Sequence, residues 1–202
     1  PYARMPGDID IWVDADRSTI IEYVKKHLGL MEMVSFQHAV TQMDGVSLEL
    51  HFFPNLMNNP IYNHRLQKWF HEHAESQFGH VVDLPDGVGR IAVPTQSFNL
   101  IYQLSHMQHH FFDEGLGLRQ LSDYYYVVTQ SHADKPTLER ELKHLALWKF
   151  ARAVMYVLHE VFGLEEMDMP VPMDKKRGEI LLREILNGGN FGRYDAKYGD
   201  LT

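Results

Sequence analysis

The chain contains no cysteine, which removes disulfides, thiolate zinc sites and cysteine nucleophiles. No apolar run approaches the roughly 18 residues that a membrane span needs, and no basic-then-apolar leader opens the chain. A soluble cytoplasmic protein without membrane association is therefore the default. Pro1 is not a natural start, so truncation of a longer N-terminus is expected. Positive charge is also scarce: 19 Lys and Arg face 27 Asp and Glu, for a formal net charge of −8. The basic residues are scattered, which argues against a protein that holds long nucleic acid by neutralising its phosphates. A small nucleotide arriving with its own Mg²⁺ is not disfavoured. The rest of the composition, 45% hydrophobic and 23% charged over 202 residues, suits one large globular domain or two small ones. It leaves the oligomeric state open.

The stretch Gly7-Asp8-Ile9-Asp10-Ile11-Trp12-Val13 organises the chain. Its alternation is that of a half-buried strand, with Ile9, Ile11 and Val13 on the inner face and Asp8, Asp10 and Trp12 on the other. Alternate residues of a strand lie roughly 6.5 Å apart, so the two carboxylates can lean toward one point. Their repulsion asks for a cation, and Mg²⁺, which prefers oxygen ligands and takes few from protein, is the natural candidate. Asp-x-Asp by itself is also a common solvated strand end.

Ser18 is a candidate cap for a helix over 19–29 that Gly29 closes. Extended runs over Met31–Met43 and Val46–Phe53 follow, joined by Asp44-Gly45, a strong hairpin signal because both turn positions need positive φ. In the second arm Val46, Leu48, Leu50 and Phe52 alternate with Ser47, Glu49 and His51, which leaves a carboxylate and an imidazole on the outer face. If this arm lies beside the first strand, Glu49 joins Asp8 and Asp10 as a third acid. Three such acids can hold two metals that clamp the attacking and leaving oxygens of a phosphoryl-type transfer. The plainer alternative is an exposed polar face.

A helix is expected over 61–78, a turn at Asp86–Gly89, and a short strand near Arg90–Val93. His71-Glu72-His73 has no metal-binding geometry on a helix, since residues two apart do not share a face. After Pro94 the pattern turns helical: 96–113, Leu118–Ser131, a helix from Pro136 that runs or bends as far as Phe162, and 174–187. The expected class is α+β, with an α/β part over 1–93 and a helical part over 94–202.

His106 and His110 can share a helical face as a two-histidine zinc pair, although the Glu of a His-Glu-x-x-His motif is missing. Buried or surface histidines are the plainer reading, and a histidine-based metallohydrolase is one competing function. Arg119 and Asp123 can form an intrahelical ion pair. Alternatively, the histidines and Arg119 face the strand acids across a cleft, where Arg meets phosphate as a fork.

Together these residues resemble the uncharacterised bacterial nucleotidyltransferases of the DNA polymerase β-like superfamily. The resemblance rests on Arg4-x-x-Gly7-Asp8-Ile9-Asp10-Ile11, on Glu49-Leu50-His51, and on His106-x-x-x-His110 followed by Leu118-Arg119-Gln120-Leu121-Ser122-Asp123. The closing Gly188-Gly189-Asn190-Phe191-Gly192 fits it too. It implies a mixed-sheet domain with a helical partner, Mg²⁺ as cofactor and an NTP, with ATP the first candidate, as substrate. Asp8 and Asp10 would be metal ligands, and Glu49 a third ligand that helps deprotonate an acceptor hydroxyl. Arg4, Gly7, His106, His110 and Arg119 would lie on the nucleotide side. The superfamily's Gly-Gly or Gly-Ser turn, whose N–H groups hold the triphosphate, has no counterpart in the six residues before Gly7; either it lies in a fuller N-terminus or the protein has lost it. A catalytically silent nucleotide- or partner-binding module of the same fold, regulatory or antitoxin-like, is the alternative function.

Overall fold

A computed structural model describes residues 7–29, 31–113 and 115–188. The chain divides between Leu56 and Met57 into two compact units. Helix 60–79 and the hairpin after it, which the sequence reading groups with the first part, lie in the second unit.

The first unit is a four-stranded mixed sheet of β1 (Ile9–Trp12), β2 (Met31–Val34), β3 (His38–Met43) and β4 (Val46–His51), in the order β1-β4-β3-β2. The β3–β4 hairpin turns at Asp44-Gly45, with φ of 51° and 79° as the two-residue turn requires. The crossover back to β1 is parallel and places Asp10 opposite Glu49.

Helix α1 (Arg17–Tyr23) continues into one π turn over Val24–Leu28, and Gly29 at φ 87° ends it. Its cap is Asp16 rather than the expected Ser18. Asp16 accepts from the Thr19 N–H at 3.0 Å and the Thr19 hydroxyl at 2.7 Å, while the Ser18 hydroxyl donates to Asp16 as well. A carboxylate at the N-cap satisfies several donors at once, where the hydroxyl one position later spends itself on that carboxylate. These bonds, from Ser18 and then Thr19, hold the Asp16 carboxyl well below the usual range.

Ile20 and Val24 of this segment pack on Leu48 and Leu50 to form the buried core, edged by Val13, Leu28, Met31 and Phe52. Burying each of those aliphatic side chains is worth about 1.5–3 kcal/mol. The expected inner face of β1 is only partly covered: Ile9 remains 47% and Ile11 37% exposed. The strand is at the edge of the sheet, and the helix sits over β4.

The expected single run Met31–Met43 is two strands. Ser35 breaks it by a local turn, its hydroxyl accepting from the N–H groups of Gln37 (3.1 Å) and His38 (3.0 Å) and donating to the His38 carbonyl (3.1 Å).

The second unit holds α2 (Pro60–Gly79), the hairpin β5 (Val81–Asp83) and β6 (Arg90–Ala92), then α3 (Gln96–Asp113), α4 (Leu118–Gln130), α5 (Lys135–His144), α6 (Trp148–Phe162) and α7 (Lys175–Gly188). Asn59 caps α2 with Pro60 in its first turn. Helix α6 is buried on most of its circumference, from Ala151 through Leu158, and is the axis of the unit. Gly178 of α7 lies so close to Tyr156 that a Cβ there would overlap the ring. The expected helix from Pro136 is two helices, because Leu145–Leu147 departs from helical geometry with Ala146 at φ 61°. In all, a mixed sheet followed by helices agrees with the α+β class.

Candidate functional site

The polar face of the sheet gathers four titratable groups of the first unit. Parallel pairing sets Asp10 opposite Glu49 and Trp12 opposite His51, and antiparallel pairing sets His38 opposite His51 and Val40 opposite Glu49. Because side chains alternate along each strand, Asp10, Glu49, His51 and His38 all project to the same side. Three strands therefore supply one cluster.

At its centre is His51, whose side chain is almost fully buried. The Nε2–H donates to Asp10 Oδ1 at 2.8 Å, and Glu49 Oε2 lies 3.4 Å from the same nitrogen. On the other side of the ring Nδ1 lies 3.3 Å from the Phe53 carbonyl, to which its N–H donates in the imidazolium form. Burial by itself would push this imidazole toward neutrality. The hydrogen bonds to Asp10 and Glu49, with the charges of both, overcome that and push it up to about 9.

His38 behaves oppositely. Burial lowers its pKa, and the charge of Glu49 opposes this only in part. Its Nδ1 is shut off from solvent and makes no hydrogen bond; Glu49 Oε2, at 3.5 Å, lies at ion-pair distance but off the hydrogen-bond direction. His38, Glu49 and His51 each present one ligand-type atom, all within 4.8 Å of one another, a set that could hold a metal ion.

Asp8 precedes β1 and is exposed, and its charge reaches the cluster as a minor influence on His38. Gly7 is exposed beside it, and Arg4 lies outside the described residues. The structure thus brings Asp10 and Glu49 together, with His51 between them. His38 is the site residue that the sequence reading misses.

The other predicted residues belong to the second unit. His106 and His110 share a face of α3, with Nε2 atoms 3.2 Å apart. His109 Nδ1 lies 3.0 Å from Asp113, which also accepts from the Asn58 amide at 3.0 Å. Arg119 is exposed in the first turn of α4. On α2, the His73 Nδ1–H donates to the Trp69 carbonyl at 2.7 Å and the ring stacks on Trp69, so His71-Glu72-His73 does not act as a unit. Gly188 ends α7, and the rest of the Gly-rich segment is outside the described residues. No helix among the described residues is long and apolar enough to cross a membrane.

The family described as "Uncharacterised nucleotidyltransferase" matches residues 1–163. No curated protein and no solved structure matches.

Proposed function

The chain belongs to that nucleotidyltransferase family, and we propose from this premise that it moves a nucleoside monophosphate from an NTP, ATP first among them, to a hydroxyl on a small molecule or protein. We place it, as its motifs suggest, among the bacterial members of the DNA polymerase β-like superfamily. The observation that carries the reading is the convergence of Asp10 and Glu49, from two adjacent parallel strands, on a single point.

The donor set fits a divalent cation. Two carboxylates already accommodate a positive charge at their meeting point, the His51 imidazolium, and Asp8 lies two residues before Asp10, just ahead of β1. Asp8, Asp10 and Glu49 are the proposed ligands of Mg²⁺, which when bound would neutralise the phosphate oxygens and the leaving pyrophosphate. Glu49 also accepts the proton of the acceptor hydroxyl. That oxygen forms a bond to the α-phosphorus, the bond from this phosphorus to the bridging oxygen breaks, and pyrophosphate carries away the electron pair. His51, donating to Asp10 and ion-paired with Glu49, fixes their rotamers. Positioning and charge supply most of the rate, as in phosphoryl transfers generally. By motif resemblance Gly7 and Arg4 are candidates for phosphate binding in the first unit, and His106, His110 and Arg119 are separate candidates in the second, where Arg offers a two-pronged donor.

Calorimetric titration of a non-hydrolysable ATP analogue into the wild-type chain and Asp10→Asn, with and without Mg²⁺, tests the assignment. Binding that needs both Mg²⁺ and Asp10 supports it. Binding indifferent to Asp10, or nucleotide binding without any pyrophosphate release in the presence of acceptors, replaces it with a silent binding module.

A further inference from the structure

We propose that His38, Glu49 and His51 form a site for a borderline transition-metal ion, Zn²⁺ by preference, that is distinct in its ligands and its metal from the Mg²⁺ position on the strand acids. Only Glu49 is shared, and the inference does not depend on the transfer reaction.

Geometry comes first. In a tetrahedral zinc sphere with bonds near 2.0–2.2 Å, neighbouring ligand atoms lie about 3.3–3.5 Å apart. Glu49 Oε2 lies 3.4 Å from His51 Nε2 and 3.5 Å from His38 Nδ1. Both separations are those of ligands sharing one ion. Both are at the long end of the hydrogen-bond range, and the His38 contact does not meet hydrogen-bond geometry. The remaining edge, between the two imidazoles, is within 4.8 Å, so a small closing motion of the largely buried His38 side chain completes the triangle.

The His38 nitrogen supplies a second, independent observation. It is excluded from solvent, aims at the cluster, and has no hydrogen-bond partner. A buried polar atom left without a partner costs on the order of 1–3 kcal/mol, and a metal bond removes that cost.

Ligand type decides the ion. Two imidazoles with one carboxylate suit Zn²⁺, Mn²⁺ or Fe²⁺ and are poor for Mg²⁺, which asks for oxygen. Asp10 Oδ1, 2.8 Å from His51 Nε2, adds a second negative charge beside the position. Binding is an exchange: the ion enters and the Nε2 proton of His51 leaves to solvent. The backbone holds the ligands well, since His38, Glu49 and His51 sit on two strands of one tight hairpin.

The test uses the whole chain after treatment with chelator. ZnCl₂ and MgCl₂ are titrated separately by calorimetry into wild type, His38→Ala and Glu49→Gln, and Co²⁺ is added as a visible-absorption probe of nitrogen coordination. Far-UV circular dichroism of each metal-free variant checks the fold. The expected result is one Zn²⁺ per wild-type chain, an affinity lower by on the order of 100-fold in both variants, since even an outer-sphere partner is worth 10–100-fold, and Mg²⁺ binding that His38→Ala leaves unchanged. Zinc held equally well by folded His38→Ala, as it would be at His106 and His110, overturns the proposal. So does a wild-type chain that binds Mg²⁺ more tightly than Zn²⁺.

Discussion

Two histidine clusters, one on the sheet and one on α3, use the same side chain to opposite effect. On the sheet, one imidazole is enclosed by carboxylates from two strands and is held as a cation. On α3, His106 and His110 point Nε2 to Nε2 at 3.2 Å. A single hydrogen can lie between two such nitrogens, so one ring donates and the other accepts. Histidine content does not set the chemistry. The difference lies in what the backbone can bring to the ring: pairing across a sheet recruits acids from far along the chain, whereas helical spacing offers only neighbours three and four positions away.

The largest expected effect of breaking this contrast is on transfer itself. Asp10→Asn should lower turnover by roughly 10²–10³-fold, the usual loss when one preorganised electrostatic group is removed, with pyrophosphate release as the assay. His110→Ala on the helix should act more mildly, leaving turnover within about tenfold of wild type, the scale of one hydrogen bond to a charged group. Turnover lost as completely in His110→Ala as in Asp10→Asn would erase the distinction between the clusters.

A subtler contrast concerns pH. His51 is raised from 6.5 to about 9 in the folded chain. Its contribution to stability is therefore complete below about 6.5 and is lost as pH rises through 9. Chemical denaturation of the chelator-treated protein should show the first unit weakening across that window, and Glu49→Gln should flatten the dependence. Asp16 runs the other way and has the smallest effect. Its depressed carboxyl stabilises the start of α1 above the ordinary carboxylate value of 3.8 and loses this as pH falls. Asp16→Asn should slightly reduce the acid sensitivity of the melting temperature.

Much of the sheet was legible from short-range signals. Asp44-Gly45 identifies a two-residue turn, and the alternation of Val46–His51 tells which face carries Glu49. The same turn also contained the missed residue. Pairing across it joins Met43 with Val46 and continues until His38 meets His51, so counting outward from the turn would have put the two histidines opposite each other. Reading Met31–Met43 as one strand obscured this, because Ser35 ends a strand through side-chain hydrogen bonds that alternation does not register. The break at Ala146 was illegible for another reason. Alanine carries no turn signal, and the left-handed step there is imposed by the packing of Leu145 and Leu147, both fully buried. The exposure of Ile9 and Ile11 was illegible too, since a strand's pattern does not say whether it will be central or at an edge.

The parallel placement of β1 against β4 also orders events in time. His38, Glu49 and His51 lie on a hairpin whose turn is two residues long, so their meeting requires only a short chain closure. Asp10 stands 41 positions from His51, and closing that larger loop costs more entropy before any contact rewards it. Chain-closure entropy therefore favours assembly of the imidazoles and Glu49 before Asp10 joins them. The nitrogen-rich half of the polar cluster is its local half, and Asp10 is the part that depends on a long-range pairing.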